Sequence, residues 1–145
     1  IIDARRYPLD CCFSMFKQLF AQGQEFSYGL AEAGSYYNNY VKLMNHWNEV
    51  LPGKILRVNN EDIIEDLEGQ VKRMLEFLEL PYEEECISFY ETDRSVRTAS
   101  SEQVRRPINK DGMERWKPYS KHLKPLLNSL DEELLKPEDI AFLNQ

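Results

Sequence analysis

The chain has 145 residues, which is enough for one domain with a hydrophobic core, and its 42% hydrophobic and 30% charged residues are typical of a globular protein. The formal net charge of -7 argues against a general binder of nucleic acids or anionic membranes. The apolar runs are too short to span a bilayer, and no signal peptide is visible. We therefore expect one domain over residues 1–145 and a location in the cytoplasm.

The three cysteines indicate a reducing compartment. Cys11 and Cys12 are adjacent, and Cys86 is far along the chain, so they form no disulfide framework. They are not spaced with His46 or His122 as zinc ligands are, and we expect no metal site.

The opening of the chain predicts a strand, a basic corner and a helix. Residues 1–4 resemble the end of a buried strand, and Pro8 suits the first position of a helix, where its missing N–H loses no bond. Because the chain opens on Ile1 inside this strand, we expect a fragment of a longer polypeptide.

This corner is a candidate anion site. Arg6 lies just before the helix, Asp10 suits the helix dipole in the first turn, and Ser14 lies about two turns further on. A guanidinium and a hydroxyl at a helix N-terminus can bind an anion. In the alternative interpretation, Arg5 and Arg6 are solvated and Ser14 caps its own backbone.

Hydrophobic spacing predicts two helices next. The first covers residues 9–21 and ends at Gly23; the second is a long amphipathic helix over residues 30–51, ended by Pro52 and Gly53. The predicted inner face of the long helix consists of Tyr36, Tyr37, Tyr40, Val41, Met44, Trp47, Val50 and Leu51.

A second strand is predicted over residues 55–58, followed by a short helical turn over residues 61–64 that Asn59 or Asn60 caps. Residues 66–80 form the clearest amphipathic pattern in the chain, and residues 83–90 predict a short helix. Strands alternating with helices in this way are typical of an α/β fold with a parallel sheet.

Residues 91–112 have no apolar period and predict a long polar loop. Residues 94–117 carry seven positive and three negative charges, which suggests an anionic ligand. A flexible, solvated loop, disordered over residues 94–115, is the alternative. Trp116 then opens a helical tail, which packs back over residues 123–135 and ends in a short helix over residues 137–143.

Several common catalytic motifs are absent from the sequence. It contains neither GxxxxGK[ST] nor GxGxxG, and two histidines at positions 46 and 122 support no nucleophile–histidine arrangement.

The pattern from Arg6 to Ser14 resembles the second cofactor motif of the sulfotransferases, which use 3′-phosphoadenosine 5′-phosphosulfate (PAPS). In that family an arginine ends a core strand, and a serine eight residues later lies on the next helix. The resemblance implies that Arg6 and Ser14 bind the 3′-phosphate of PAPS or of its product, adenosine 3′,5′-bisphosphate (PAP).

The resemblance extends along most of the chain. Residues 36–53 resemble the long helix before the family's next strand, residues 61–62 and 75–78 match its Tyr-Glu-Asp signature and the helix after it, and residues 98–108 and 115–116 resemble its C-terminal cofactor loop. The likeness is greatest to bacterial sulfotransferases fused to tetratricopeptide repeats, and more distant to protein-tyrosine sulfotransferases. It implies that the nucleotide is also wrapped by Ser100, Arg105, Arg106 and Arg115.

Two residues depart from the family pattern. Asn60 replaces the signature tyrosine that contacts adenine, and Tyr7 stands where Asn or Asp is usual. The family's 5′-phosphosulfate loop and catalytic base, a His or Glu, precede the arginine motif. Neither His46 nor His122 takes the place of that base, so the resemblance implies that this chain alone is inactive.

The predicted fold is therefore the C-terminal part of the P-loop-like sulfotransferase α/β fold, mostly helical with a short parallel sheet. The expected function is sulfuryl transfer from PAPS to a hydroxyl or amine, with this chain supplying the 3′-phosphate half of the site. The alternative is a non-catalytic PAP- or PAPS-binding or interaction module that kept the fold. Exposed strand edges would favour self-association.

Overall fold

The computed structural model describes residues 1–20, 22–92, 95 and 101–144, without the side chain of Gln103. The chain forms two compact units. Unit 1 contains residues 1–5 and 56–110, and unit 2 contains residues 6–55 and 111–145. Both units are therefore discontinuous in sequence.

Unit 1 contains a parallel pair of strands, as predicted. β1 (Ile2–Arg5) pairs with β2 (Leu56–Asn59), and Asp3 lies in register with Arg57. Each strand begins one residue later than the sequence predicts. Asp3 is buried and accepts hydrogen bonds from Arg5 at 3.0 Å, while the Arg57 Nε atom lies 3.7 Å from the same carboxylate. Arg5 is thus not the solvated residue of the alternative interpretation.

Two helices follow β2 in unit 1. α3 (Asn60–Glu65) is short, and α4 (Leu67–Phe77) begins at Asp66, whose carboxylate accepts the Gly69 N–H at 2.9 Å. Helix α4 ends three residues before the predicted Leu80. Glu79 has a left-handed φ of 57°, and the amides of Glu79 and Leu80 bond back to the carbonyls of Glu76 and Leu75. This is the Schellman arrangement, here without a glycine.

The prediction of a single helix over residues 83–90 is wrong. Two 3₁₀ turns, Glu84–Cys86 and Phe89–Glu91, stand there instead, and Ser88 between them has φ -90° and ψ 30°, which interrupts a helix. A further 3₁₀ turn, Gln103–Arg105, lies within the predicted polar loop.

Unit 2 begins with α1 (Pro8–Lys17), and Pro8 occupies its first turn, as predicted. The helix ends at Lys17 rather than residue 21, because Gln18 is extended and the side chain of Leu19 is 81% exposed. Burial therefore does not stabilise another turn. A 3₁₀ turn (Glu25–Tyr28) leads into α2 (Leu30–Val50), which confirms the predicted long helix.

The C-terminal part of unit 2 consists of short elements. A 3₁₀ turn (Lys117–His122) precedes α5 (Lys124–Ser129), and another (Glu132–Leu134) precedes α6 (Pro137–Leu143). The predicted final helix is confirmed. Within the described ranges, no helix is both long and apolar enough to cross a lipid bilayer.

The core of unit 2 forms where α2 packs against α1 and α5. Along α2, the buried positions run from Ala33 to Val41, and its partners α1 (10 residues) and α5 (6 residues) are both shorter than the 21 residues of α2. The predicted inner face of α2 is thus right for Tyr37 and Val41 but wrong for Tyr36, Trp47, Val50 and Leu51, which are exposed. The core consists of Leu9, Cys12, Phe13, Ala33, Tyr37, Val41, Trp116, Leu123, Leu126, Leu130 and Leu135.

Candidate anion site in unit 2

Arg6 lies just before α1, and Ser14 lies within the helix. Arg6 follows β1 directly and precedes the helix by one residue, and it is half-buried. Ser14 lies in the second turn of α1 and is exposed. The predicted strand end, helix N-terminus, guanidinium and hydroxyl are therefore present in the predicted order.

Arg6 is held at both its backbone and its side chain. Its carbonyl oxygen accepts a hydrogen bond from the buried Tyr37 hydroxyl of α2 at 2.7 Å. Its guanidinium donates to the carbonyl oxygen of Gly112. A Cβ atom at position 112 would lie 3.1 Å from the Arg6 Nη2 atom, so glycine gives the guanidinium room. Arg6 is not a solvated surface residue.

Tyr7 fixes the same corner from its other side. Its hydroxyl donates to the buried carboxylate of Asp139 at 2.7 Å and accepts the Lys136 N–H at 3.1 Å. Burial raises the pKa of the Tyr7 hydroxyl above its usual value, and the hydrogen bond to Asp139 raises it further. Tyr7 therefore stays a donor, and it links the start of α1 to α6.

The Ser14 hydroxyl contacts no hydrogen-bond partner within the described part of the chain. It does not cap its own backbone, in contrast to the alternative interpretation. Ser14 lies four residues after Asp10, so the two side chains share one face of α1.

The carboxylate of Asp10 is buried and accepts two backbone N–H groups from a distant segment. The amide of Glu114 lies 2.9 Å from Oδ2 and the amide of Arg115 lies 3.1 Å from Oδ1. Glu114 has a left-handed φ of 56°, which places successive N–H groups toward one anion. We call residues 112–115 the 112–115 turn.

The 112–115 turn brings a third predicted residue to this part of unit 2. Arg115 is exposed, and it is followed by the fully buried Trp116. Gly112 bonds to Arg6, just before α1, and Arg115 bonds to Asp10 in the first turn of α1. The turn therefore brings Arg115 to the segment that carries Arg6 and Asp10.

The other predicted site residues belong to unit 1 or lie outside the described residues. Arg105 ends the turn Gln103–Arg105, and its guanidinium donates to the carbonyl oxygen of Thr92. Arg106 is exposed, and Ser100 lies outside the described residues, as do Arg94 and Arg97. Their contact with a nucleotide stays a prediction.

The structure also describes Asn60, which stands where the resemblance places a signature tyrosine. Asn60 is the first residue of α3 and is half-buried, and the neighbouring Asn59 donates to the Asp62 carboxylate at 2.9 Å. His46 and His122 are exposed.

Sequence reasoning missed the residues that hold the site, namely Asp10, Tyr37 and Gly112. Asp10 was assigned only to the helix dipole, and its partners lie 104 and 105 residues away. Tyr37 was assigned to the core; the need of a buried tyrosine hydroxyl for a partner was the one available indication.

Two comparisons with known proteins bear on the family of this chain. A sequence model described as the sulfotransferase family matches residues 1–84, which include Arg6, Ser14 and Asn60. An uncharacterized protein of Aquifex aeolicus (strain VF5) is 34% identical over 142 residues, which cover 96% of this chain and 19% of that protein. The chain thus spans about a fifth of the length of that relative.

Residues 1–84 include β1, Arg6 and the proline-opened helix α1 with Ser14. With the match covering more than half of its residues, the chain belongs to the sulfotransferase family.

Proposed function

We propose that the intact protein transfers a sulfuryl group from PAPS to a hydroxyl or amine, and that this chain contributes the residues that bind the 3′-phosphate. In this proposal the 5′-phosphosulfate loop and the catalytic base lie outside the present sequence, so the chain alone binds nucleotide without catalysing transfer. PAPS supplies the sulfuryl group, and the chain's own residues orient the nucleotide.

One observation carries the proposal: the Arg6 guanidinium is held just before α1, and the exposed Ser14 follows on the same helix eight residues later. A guanidinium offers paired N–H donors that match two phosphate oxygens, and a serine hydroxyl adds a third donor. The hydrogen bonds of Tyr37 and Tyr7 hold the Arg6 backbone before any ligand arrives. Such preorganisation lowers the entropy cost of binding.

The proposal is tested by titrating the chain with PAP in a calorimeter. We expect saturable binding that Arg6→Ala weakens by about 10- to 100-fold, because a hydrogen bond to a charged group contributes about 1.5–3 kcal/mol. Ser14→Ala should weaken it by about tenfold or less. Adenosine 5′-monophosphate, which lacks the 3′-phosphate, should bind Arg6→Ala and the natural chain equally.

The matched control is Lys42→Ala, which removes an exposed cation on α2 that pairs with Asp131 at 3.3 Å. It should leave the affinity for PAP unchanged. Equal losses for Lys42→Ala and Arg6→Ala would indicate nonspecific attraction of the nucleotide. If PAP does not bind even to the full-length protein, the sulfotransferase proposal fails.

A non-catalytic PAP-binding or interaction module is the second candidate, and Asn60 favours it. An asparagine at the start of α3 cannot stack on adenine as the family's tyrosine does. Under this alternative, the full-length protein binds PAP but transfers no sulfuryl group from PAPS to any acceptor.

The remaining assignments are parts of the same proposal. Ser100, Arg105, Arg106 and Arg115 would bind the nucleotide, and the parent protein would resemble the bacterial enzymes fused to tetratricopeptide repeats. The three free thiols fit a reducing compartment such as the cytoplasm. The open edges of the two-stranded sheet would support self-association.

A further inference from the structure

We propose that Asp10 is a positioning residue for the nucleotide site: its carboxylate binds the amides of Glu114 and Arg115 and thereby sets the conformation of the 112–115 turn, on which both Arg6 and Arg115 depend. The inference rests on the proposed function, because it concerns the same 3′-phosphate site.

The carboxylate occupies a place that the turn builds for an anion. Each oxygen of Asp10 accepts one amide, at 2.9 Å from Glu114 and 3.1 Å from Arg115, and the side chain is only 4% exposed. A buried carboxylate needs such partners, and two successive N–H groups supply them. The contact is therefore a fixed internal element of unit 2.

The turn needs this support because its conformation is unfavourable for its sequence. Glu114 has a φ of 56°, a region in which a residue with a Cβ atom is disfavoured. The amides on both sides of the Glu114 α-carbon donate hydrogen bonds to Asp10, and these bonds offset that cost. Without them, Glu114 would move toward negative φ, and the direction of the Arg115 side chain would change.

The 112–115 turn positions two cationic side chains. At its first residue, the Gly112 carbonyl oxygen accepts the Arg6 guanidinium. At its last residue, Arg115 is exposed, while the next residue, Trp116, is fully buried and anchors the chain. A shift of the turn therefore displaces the acceptor of Arg6 and the side chain of Arg115 together.

Ser14 lies beside this contact on α1. It follows Asp10 by four residues, so the hydroxyl lies one helical turn further along the face that Asp10 presents to the 112–115 turn. Because the carboxylate of Asp10 accepts the amides of Glu114 and Arg115, it does not compete with a phosphate for the donors of Ser14 and Arg6. Asp10 thus acts through its neighbours and does not touch the ligand.

The test uses Asp10→Asn, which keeps the size of the side chain but replaces one acceptor with a donor that faces a backbone N–H. We expect the Kd for PAP to rise at least tenfold. We also expect faster hydrogen exchange of the Glu114 and Arg115 amides, measured by NMR without nucleotide.

The rescue variant is Asp10→Asn combined with Glu114→Gly. Glycine adopts positive φ without steric cost, so it restores the turn without the carboxylate. We expect the double variant to bind PAP at least threefold more tightly than Asp10→Asn does, with Glu114→Gly alone as the reference for the negative charge that is also removed. A purely structural loss at Asp10 would not be recovered in this way.

The control is Asn38→Ala, which removes another buried polar side chain of unit 2. Asn38 donates to the Ser129 carbonyl oxygen at 2.8 Å and to Asp131 at 3.0 Å, away from the turn. It should lower the melting temperature and leave the Kd for PAP within twofold of the natural value.

Three results would overturn the inference. If the natural chain binds PAP and Asp10→Asn binds it within twofold, Asp10 has no positioning role while the proposed function stands. If Asn38→Ala loses affinity equally and Glu114→Gly rescues nothing, the effect is general destabilisation. If the natural chain and the full-length protein bind no PAP at all, the proposed function fails and this inference fails with it.

Discussion

The two units hold their predicted functional residues in different ways. In unit 2, Arg6 and Arg115 are attached through hydrogen bonds between segments about 105 residues apart, and the fully buried Trp116 follows directly. In unit 1, Arg105 contacts the carbonyl oxygen of Thr92, 13 residues away, and Arg106 is exposed. Residues anchored by a core are preorganised, whereas residues on a polar segment pay for their ordering when a ligand binds.

The two units also differ in the size of their hydrophobic cores. Unit 2 contains the cluster of buried residues around Leu9, Tyr37 and Trp116, while the buried hydrophobic residues described in unit 1 are Val58 and Val71. Buried apolar area is the main favourable term in folding, so unit 2 should respond more strongly to substitution than unit 1.

The largest difference should come from truncating one core residue in each unit. Trp116→Ala should lower the free energy of unfolding by about 3–5 kcal/mol, because it leaves a large cavity. Val71→Ala in α4 should lower it by about 1.5 kcal/mol, the transfer free energy of two methyl groups. Urea unfolding followed by circular dichroism measures both. Equal losses would contradict the assignment of the main core to unit 2.

A smaller difference should come from placing alanine at one helical glycine in each unit. A Cβ atom at Gly34 of α2 would lie 2.0 Å from Ser129 Oγ and 3.2 Å from a methyl carbon of Leu126, so Gly34→Ala should destabilise by about 1–3 kcal/mol. Because Gly34 is in a helix, alanine would otherwise be favourable by about 1 kcal/mol.

The matched change in unit 1 is Gly69→Ala in α4. Its Cβ atom would lie 2.0 Å from a carboxylate oxygen of Asp66, which is an exposed cap that can rotate away. The lost cap and the gained helix propensity are each worth about 1 kcal/mol, so the net change should be near zero. Thermal melts compare the two variants. A stable Gly34→Ala would show that α2 and α5 are packed less closely than described.

The smallest difference between the units should appear in the reactivity of their thiols. Burial raises the pKa of the Cys12 thiol in unit 2, and Cys86 in unit 1 is half-buried. Because the thiolate is the reactive form, iodoacetamide at pH 8 should label Cys86 before Cys12 in the folded chain. Peptide mass spectrometry measures the order of labelling, and full labelling of Cys12 before unfolding would be the contrary result.

The same raised pKa predicts that the stability falls as the pH rises above about 8.5. The folded chain holds the Cys12 proton more tightly than the unfolded chain, so this contribution is complete below an unfolded pKa of about 8.5 and is lost as the pH rises further. A Cys12→Ala variant should therefore lose less stability than the natural chain between pH 8 and pH 10, in denaturant titrations at each pH.

The parts of the fold that the sequence predicted well are those set by local rules. Pro8 set the start of α1, and the long apolar period together with Pro52 and Gly53 set the extent of α2. The predictions were wrong for the last turn of α1 and for the C-terminal half of the predicted inner face of α2. Periodicity shows that a face is apolar, but only the neighbouring elements decide whether it is buried.

The site was predictable to the same degree. The eight-residue spacing from Arg6 to Ser14 is local and is visible in the sequence. The contacts that hold it join Tyr7 to Asp139, Tyr37 to Arg6 and Asp10 to the 112–115 turn, across 31 to 132 residues. No periodicity connects such positions, so they become visible only once the chain is folded.

The hydrogen bond from Tyr7 to Asp139 has a consequence for the order in which the protein matures on the ribosome. Its two residues are 132 positions apart, and at roughly 5–20 residues per second the acceptor is made about 7–26 seconds after the donor. For most of that interval, until Trp116 and the segments after it are made, α1 and α2 lack the residues that complete their core. The nascent chain therefore exposes its aromatic α2 face for seconds, a period in which chaperones have the opportunity to bind it.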